Sequence, residues 1–386
     1  MNMIPYGKQD ISQADIDAVI EVLRSDFLTQ GPSVERFELS LSHYTGAKHT
    51  IAVNSATSAL HLACLALGVS SGDLVWTSPI TFVASANCAL YCGADIDFVD
   101  IEMNSNNMSI TALREKLQQA RKLGRLPKVV IPVHMGGLSC DMKSIFELSL
   151  EYGFKIIEDA SHAVGGSLSG NKIGSCEFSD ISVFSFHPVK IITTAEGGAA
   201  LTNDADLGRK LALLRSHGVT RDADEMEHGS EGGWYYEQIS LGYNYRMTDL
   251  QAALGCSQLT RIDEFVTKRN KLASQYQLKL ADLSIDLPMI PSNALSAYHL
   301  YIVKLQCDDP LGRRRLYDHL RGRGIGVNVH YIPVHLQPFY RSLGFNPGDF
   351  PEAEKYYRSA ISIPLHPNLS ENDQDVVVNS IREFMS

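Results

Sequence analysis

The sequence has no long apolar run: no stretch of about 18 apolar residues, the length that a membrane-spanning helix needs, occurs in its 386 residues. The N-terminus turns polar almost at once, so we expect no signal peptide. The seven cysteines are scattered and form no CxxC pair, which argues against a disulfide framework and against a zinc knuckle. These features predict a cytoplasmic protein with reduced thiols and no structural metal.

Positive charge is also scarce. The chain has 34 Lys and Arg residues against 44 Asp and Glu residues, which gives a net charge of −10. The electrostatic field of a chain with this negative charge does not attract a nucleic acid or an anionic membrane, although a local basic pocket could still bind a small anion. The apolar content of 44% and the length are typical of a globular enzyme of two or three domains.

From about residue 50, short apolar strands alternate with helical patterns, which predicts an α/β fold with a large, mostly parallel sheet flanked by helices. A long helical pattern follows at about 248–281. After it the regular alternation of strands and helices ends, and the remaining pattern predicts a smaller C-terminal α+β domain. We therefore expect a large domain over 1–255, with an N-terminal arm over 1–30, and a small domain over 256–386. The predicted strands are 51–53, 74–77, 95–99, 128–133, 155–159, 181–186, 198–202, 300–305 and 325–329. The predicted helices are 12–25, 56–67, 83–91, 109–122, 142–152, 204–216, 311–322 and 371–384.

One polar stretch, residues 221–237, interrupts this alternation. It contains three glycines and ends in aromatic residues. Long loops in compact domains are often functional, so we expect this loop to take part in choosing the substrate.

Three segments carry residues that could do chemistry together. NSATSALHLA (54–63) follows a strand and opens a helix, where free backbone N–H groups can bind phosphate. KIIEDASHA (155–163) ends a strand with Asp159 and brings His162 close to it. SVFSFHPVKIITTAEGGAALTND (182–204) places Lys190 after the next strand, in an apolar turn where burial would lower its pKa.

Each of these residues has a plain structural explanation when it is taken alone. Asp159 could cap a helix, Phe82 could pack in the core, and Lys190 could be a solvated surface residue. Together they match the needs of pyridoxal phosphate (PLP), namely a lysine, a carboxylate for the ring nitrogen, a phosphate site and a stacking ring, for which Phe82 is the candidate. The set therefore indicates a PLP site.

The chain resembles the DegT/DnrJ-type sugar aminotransferases, which are fold-type-I PLP enzymes, over essentially its whole length. Besides the three segments above, the motifs that carry this resemblance are LTQGPSVERFE (28–38), SPITFVASAN (78–87), LRSHG (214–218), YNYRMTDLQAALGCSQL (243–259) and VHYIPVH (329–335). Lysine at position 190 favours amino transfer, since family members with histidine there are dehydratases.

The resemblance implies a role for each matching position. Lys190 would bind PLP covalently, Asp159 would pair with the ring nitrogen, and His162 would lie near the ring hydroxyl. The other implied cofactor contacts are Ala56, Thr57 and Ser185 at the phosphate, Phe82 on the ring, and Asn244 reaching the phosphate in a neighbouring subunit. The implied substrate contacts are Gln30, His187, Arg246, His330 and Tyr331. A homodimer with shared active sites follows from the role of Asn244.

Within the family, ITTAEGG and WYYEQISLGYNYRMTD most resemble the transaminases of pseudaminic acid synthesis. The substrates would then be L-glutamate and a UDP-linked 4-keto-6-deoxy amino sugar. The product would be UDP-4-amino-4,6-dideoxy-N-acetyl-β-L-altrosamine. Ala195 departs from the glycine usual in the family (TTGEGG) but agrees with this subgroup.

Three alternatives remain open on the sequence. A nicotinamide-dependent sugar epimerase or dehydrogenase would need an early G-x-G-x-x-G motif, which the chain lacks. A non-catalytic PLP-binding regulator would bind the cofactor without forming a keto acid. An aminotransferase for another nucleotide-linked 4-keto-6-deoxy sugar, such as a GDP- or dTDP-linked one, is the strongest of the three.

Overall fold

A computed structural model of the chain describes residues 3–306, Asp309 and 311–386. Its strands are β1 His49–Val53, β2 Leu74–Thr77, β3 Asp95–Phe98, β4 Val129–Ile131, β5 Lys155–Asp159, β6 Ser167–Leu168, β7 Asn171–Lys172, β8 Ile181–Ser185, β9 Gly198–Thr202, β10 Val219–Thr220, β11 Glu237–Gln238, β12 Ile285–Asp286, β13 Ala294–Leu295, β14 Tyr301–Leu305 and β15 Ala360–Ile363. Its α-helices are α1 Gln13–Leu23, α2 Pro32–Thr45, α3 Ala56–Ala66, α4 Ala84–Tyr91, α5 Ile110–Lys122, α6 Met142–Tyr152, α7 Ala205–Arg215, α8 Asp249–Leu259, α9 Ile262–Leu280, α10 Gly312–Gly322, α11 Pro338–Ser342, α12 Pro351–Ser359 and α13 Glu371–Met385.

The large sheet has seven strands in the order β1-β9-β8-β5-β4-β2-β3. Its strands are almost entirely buried, because helices cover both faces and strands buried on both sides are apolar throughout. β3, β2, β4, β5 and β8 run parallel, whereas β9 is antiparallel to both β8 and β1. The mostly parallel α/β fold expected from the sequence is confirmed.

Local signals in the sequence fix the helix ends. Ser12 and Asp15 form the reciprocal capping box at the start of α1 that their spacing predicts. α2 begins at Gly31 and Pro32, and its first N–H groups are capped from far along the chain. The Asp249 carboxylate accepts hydrogen bonds from the N–H groups of Gly31 and Ser33, both at 2.8 Å. This contact holds the N-terminal segment against α8.

Two predictions about the C-terminal third are wrong. The long helix expected over 248–281 is two helices that break at Thr260 and Arg261. Arg261 bonds there to Asp10 and Asp15 of the N-terminal segment, a long-range contact that local periodicity does not reveal. The strand expected at 325–329 is extended chain with only single bridges, from Ile325 to Ile4 and from Asn328 to Ser362.

The C-terminal part contains a three-stranded antiparallel sheet in the order β12-β14-β15. Its core includes side chains of α9, α10 and α13. We propose the domain division at residues 255 and 256 because this sheet has a core of its own. Some side chains beyond that point, among them Ala353 and Tyr356 of α12, nevertheless pack into the core of the large sheet.

Two further features bear on the predictions from sequence. Within the described residues, no helix is both long and apolar enough to cross a membrane. The loop expected at 221–237 is mostly irregular and exposed, and the short pair β10–β11 closes it at its base.

Candidate active site

The carboxyl ends of β5 and β8 form the centre of the candidate site. The two strands pair in parallel, with Asp159 opposite Val183, so Asp159 and Ser185 lie at the same edge of the sheet. Beyond β8 the chain turns at His187 and Pro188, and the N–H of Lys190 donates to the carbonyl of His187 at 2.9 Å. The turn places Lys190 at the edge that carries Asp159.

Lys190 has the electrostatic properties of a reactive amine. Burial lowers the pKa of its ammonium group to about 8, while the Asp159 carboxylate acts in the opposite direction and raises it. A substantial fraction of the amine is therefore neutral near physiological pH. The turn after β8 thus carries an amine whose lowered pKa suits the nucleophile role predicted from the sequence.

Asp159 is buried, and two hydrogen bonds fix its carboxylate. The Ser85 hydroxyl donates to Oδ2 at 2.5 Å, and the N–H of Ser161 donates to Oδ1 at 3.1 Å. The Ser85 and Thr81 hydroxyls lie 2.7 Å apart. Because the Ser85 proton is directed at Asp159, Thr81 is the donor in that pair, and the chain of donors orients the carboxylate.

His162 is buried and neutral, and its tautomer follows from its hydrogen bonds. Its Nδ1 accepts the N–H of Gly136 at 3.3 Å, so the ring proton lies on Nε2, which donates to Tyr331 Oη at 3.0 Å. Burial, reinforced by Lys190, lowers the pKa of His162 well below its usual range. The hydroxyl proton of Tyr331 is consequently free to be donated elsewhere in the site.

Two more histidines surround Lys190. Burial lowers the pKa of His330 to about 4, and the Lys190 charge acts in the same direction. His330 Nδ1 lies 2.8 Å from Ser362 Oγ, and Tyr6 packs against its ring. The His299 ring packs against that of His162 at a tilt of 50°, with the ring centroids 4.5 Å apart, and its Nδ1 is buried without a partner in the described part of the chain. Lys190 is thus surrounded by neutral imidazoles.

A second group of atoms lies where β1, β9 and α3 meet. Gly198 of β9 pairs with Val53 on one side and with Ser185 on the other. A Cβ atom on Gly198 would lie 2.5 Å from the backbone nitrogen of Ala56, so only glycine allows this approach. Within the described residues, the N–H groups of Ala56 and Thr57 donate to no partner, and they lie at a helix N-terminus next to β9, where Gly198 pairs with Ser185. Free N–H groups in this position can bind an anion.

Phe82 lies on the segment that leads into α4, three residues before Ser85. Its side chain is 59% exposed, an unusual state for a large aromatic residue at the mouth of a buried cluster. The centroid of its ring is 6.3 Å from that of Tyr331. An uncovered ring in this position can stack on a planar ligand.

The structure brings some of the predicted residues together and leaves others apart. Arg246 lies beside the cluster, since it bridges Val53 at the end of β1. Gln30, His187 and Asn244 are exposed. Asn244 pairs through its backbone with Ser216, and among the described residues no side-chain hydrogen bond joins Gln30, His187 or Asn244 to Lys190.

These groups fit PLP as the sequence predicts. They offer a partly neutral amine, an oriented buried carboxylate, an uncovered aromatic ring, and an anion site made of two free N–H groups and a hydroxyl. Sequence reasoning missed three residues. Ser85 donates to Asp159, and Thr81 donates to Ser85. His299 packs against the ring of His162. The one available signal was the spacing of Ser85 from Phe82, which places both at the start of one helix.

Comparison with known proteins agrees with this chemistry. Residues 9–382 match the DegT/DnrJ/EryC1/StrS aminotransferase family. A UDP-4-amino-4,6-dideoxy-N-acetyl-beta-L-altrosamine transaminase from Campylobacter jejuni is 38% identical over 382 residues, which cover 98% of this chain and 96% of that protein.

Solved structures extend the comparison to the fold. Helicobacter pylori PseC, an aminotransferase involved in the biosynthesis of pseudoaminic acid, superimposes with a TM-score of 0.91 at 33% identity and covers 100% of this chain and 99% of its own. The protein Spr1654 from Streptococcus pneumoniae, solved in a PMP form, gives a TM-score of 0.90 at 30% identity, with 99% of each chain covered. Its PLP form gives a TM-score of 0.89. The chain belongs to the DegT/DnrJ/EryC1/StrS aminotransferase family and is a PLP-dependent sugar aminotransferase.

Proposed function

We propose that this enzyme transfers the amino group of L-glutamate to C4 of a UDP-linked 4-keto-6-deoxy-N-acetyl hexosamine. The product is UDP-4-amino-4,6-dideoxy-N-acetyl-β-L-altrosamine, an intermediate for pseudaminic acid. The observation that carries the proposal is the 38% identity, across nearly all of both chains, with a transaminase named for that product. The similarity to PseC supports it independently.

The proposal assigns the cofactor contacts to the residues of the site. Lys190 binds PLP covalently, Asp159 holds the ring nitrogen, and His162 lies beside the ring hydroxyl. Ala56, Thr57 and Ser185 hold the phosphate, and Phe82 covers the ring. When bound, PLP supplies an electron sink for the negative charge that develops when a proton leaves carbon.

Lys190 is the group that moves the proton. Its Nζ takes a proton from Cα of glutamate and returns it to the sugar carbon in the opposite half of the reaction. Burial favours the free amine, which is the form that accepts a proton. Ser85 and the Ser161 N–H donate to Asp159 and would orient its carboxylate toward the ring nitrogen.

The other predicted positions form the proposed sugar-nucleotide and subunit contacts. Tyr331 has a free hydroxyl proton, and His330 lies next to it in the chain. Gln30, His187 and Arg246 complete the proposed set of substrate contacts. Asn244 reaches the phosphate of the cofactor in a second subunit, which makes the active unit a homodimer. We also propose a cytoplasmic location.

A substrate panel tests the choice of sugar. Purified enzyme with PLP and L-glutamate is given UDP-, GDP- and dTDP-linked 4-keto-6-deoxy sugars, and release of 2-oxoglutarate is followed for each. We expect the highest kcat/KM with the UDP-linked N-acetyl hexosamine. A higher value with a GDP- or dTDP-linked sugar would favour the alternative, in which the same chemistry serves another nucleotide sugar.

Substitution of the lysine tests the chemistry. Lys190→Ala should show no multiple-turnover transamination, because neither covalent attachment nor proton transfer is then available. Reduction with borohydride followed by peptide mapping should place the cofactor on Lys190 in the unaltered enzyme. Lys172→Ala, which removes a lysine of the β7 hairpin, is the control and should keep full activity. Full activity in Lys190→Ala would contradict the assignment.

A further inference from the structure

Three cysteines meet between the two helices that lead away from the cofactor site. Cys64 belongs to α3, Cys88 belongs to α4, and Cys92 directly follows α4. All three are free thiols, and Cys64 and Cys88 are completely buried while Cys92 is partly exposed. Cys64 and Cys88 belong to one hydrophobic core cluster, and Cys92 packs against that cluster. Solvent can therefore approach the three cysteines only at Cys92.

His61 borders the same cluster one turn before Cys64. Its Nδ1 lies 3.2 Å from Tyr245 Oη, whereas its buried Nε2 has no partner within the described residues. The neighbouring Cys64 thiol, and then His61, lower the pKa of Cys92, while the neighbouring thiols raise the pKa of Cys64. Cys92 is thus the more acidic thiol of the pair.

The cluster is connected to the active site through both helices. α3 begins with the N–H groups of Ala56 and Thr57. On α4, the Cys88 thiol donates to the carbonyl of Ser85 at 3.3 Å, and the Ser85 hydroxyl donates to Asp159. A change in the packing of α3 against α4 would therefore move groups that hold the anion site and the Asp159 carboxylate.

We propose that Cys92 is an oxidation site that reacts with hydrogen peroxide and then forms a disulfide with Cys64. The Cys92 thiolate attacks one peroxide oxygen, which becomes the oxygen of the sulfenic acid, and the other oxygen leaves as hydroxide, which takes a proton from solvent and becomes water. The Cys64 sulfur then attacks the Cys92 sulfur, and the hydroxide released takes the Cys64 proton and leaves as a second water. Two thiols are oxidised and one hydrogen peroxide molecule is reduced.

The partly exposed position and the lowered pKa of Cys92 make it the sulfur that reacts first, and Cys64 is the resolving thiol. Cys88 and Cys92 lie one helical turn apart on the same helix face, so Cys64 on the facing helix is the better placed partner for Cys92. A bond of about 2.05 Å between the sulfur atoms draws the ends of α3 and α4 together. Since both helices carry cofactor-site groups, oxidation should reduce transamination reversibly.

The holoenzyme is treated with hydrogen peroxide, the remaining thiols are alkylated, and the peptides are mapped by mass spectrometry. We expect a disulfide between Cys64 and Cys92, and a loss of 2-oxoglutarate formation that a thiol reductant restores. Cys92 should react about ten-fold faster than Cys256, a half-buried cysteine outside the cluster whose pKa is raised by burial. The control Cys256→Ser should therefore leave both the disulfide and the loss of activity unchanged.

Two variants separate the roles of the sulfur atoms. Cys92→Ser should abolish the disulfide and protect the activity. Cys64→Ser should also abolish the disulfide but leave a sulfenic acid on Cys92 that dimedone labels. An unmodified Cys92, a disulfide from Cys64 to Cys88, or unchanged activity after the Cys64–Cys92 bond has formed would overturn the proposal.

Discussion

Asp159 and burial act on Lys190 in opposite directions. Burial lowers the pKa of the amine to about 8, and the carboxylate keeps it from falling further. Only the neutral amine attacks a carbonyl group, so attachment of the cofactor depends on the fraction of Lys190 that is unprotonated. This balance makes the pKa of Lys190 measurable through the rate of cofactor uptake by the apoenzyme.

We predict that the rate of PLP attachment to the apoenzyme rises with pH, with a midpoint near 8, and levels off above it. Asp159→Asn removes the charge that raises the pKa of Lys190, so the midpoint should move to lower pH. Stopped-flow absorbance across a pH series measures both midpoints. Asp206→Asn, which removes an exposed carboxylate on α7, is the control. A midpoint that stays fixed or rises in Asp159→Asn would contradict the prediction.

Ala195 adopts a left-handed backbone conformation, with φ of 67°. A side chain costs about 1–2 kcal/mol in that region, and glycine avoids the cost. The glycine usual at this position in the family therefore has a structural explanation, and the alanine here keeps the turn at a cost in stability.

Ala195→Gly should raise the free energy of unfolding by about 1 kcal/mol, because relief of the strained φ exceeds the entropy lost by glycine. Urea denaturation of the apoenzyme measures the change. Ala18→Gly, in the interior of α1, is the matched control and should lower the free energy of unfolding by about 1 kcal/mol. If both variants were destabilised alike, the conformation of Ala195 would not be the cause.

At the scale of elements, the contact between β9 and α3 is the tightest part of the site. Gly198 allows the backbone of β9 to lie against the first turn of α3, and the free N–H groups of Ala56 and Thr57 are presented there. Any side chain at this position must push the strand and the helix apart.

Gly198→Ala should therefore weaken PLP binding by about ten-fold or more, because the helix N-terminus and the Ser185 hydroxyl no longer converge on one phosphate. The dissociation constant is measured by titrating the apoenzyme with PLP. Gly322→Ala, at the end of α10 with open space around it, is the control and should bind PLP normally. Equal affinity in the two variants would argue against the proposed phosphate site.

The elements also show how far the sequence could predict the structure. The strands 74–77, 155–159 and 198–202 have the predicted bounds, because a short apolar run between turn residues is a local sequence signal for a buried strand. The break at Thr260 and the loss of the strand at 325–329 depend on pairing with the N-terminal segment, which no local pattern encodes.

The site residues likewise fall into those that a local sequence pattern predicts and those that only long-range contacts reveal. Lys190, Asp159 and His162 could be predicted because a strand end and a motif carry each of them. Ser85 and His299 could not, because their importance depends on contacts with Asp159 and His162 that exist only in the folded chain.

At the scale of the whole molecule, the exposed position of Asn244 suits a residue that acts in a second subunit. Mixing and reassembling Lys190→Ala with Asn244→Ala should restore up to about a quarter of the normal activity, because half of the random dimers then contain one intact site out of two. Each variant alone should be inactive or nearly so. Activity that does not rise on mixing would indicate that Asn244 acts within its own chain or that no dimer forms.

The residues between β10 and β11 are anchored at their base, where Val219 pairs with Gln238 and Thr220 pairs with Glu237, and by an ion pair between Glu225 and Arg209 of α7. The strands and helices that hold Lys190 and Asp159 are complete without the tip of this segment. Its length and composition can consequently diverge during evolution while the catalytic scaffold remains intact. Exchanging it between relatives as a cassette offers a direct route to enzymes that accept other sugars.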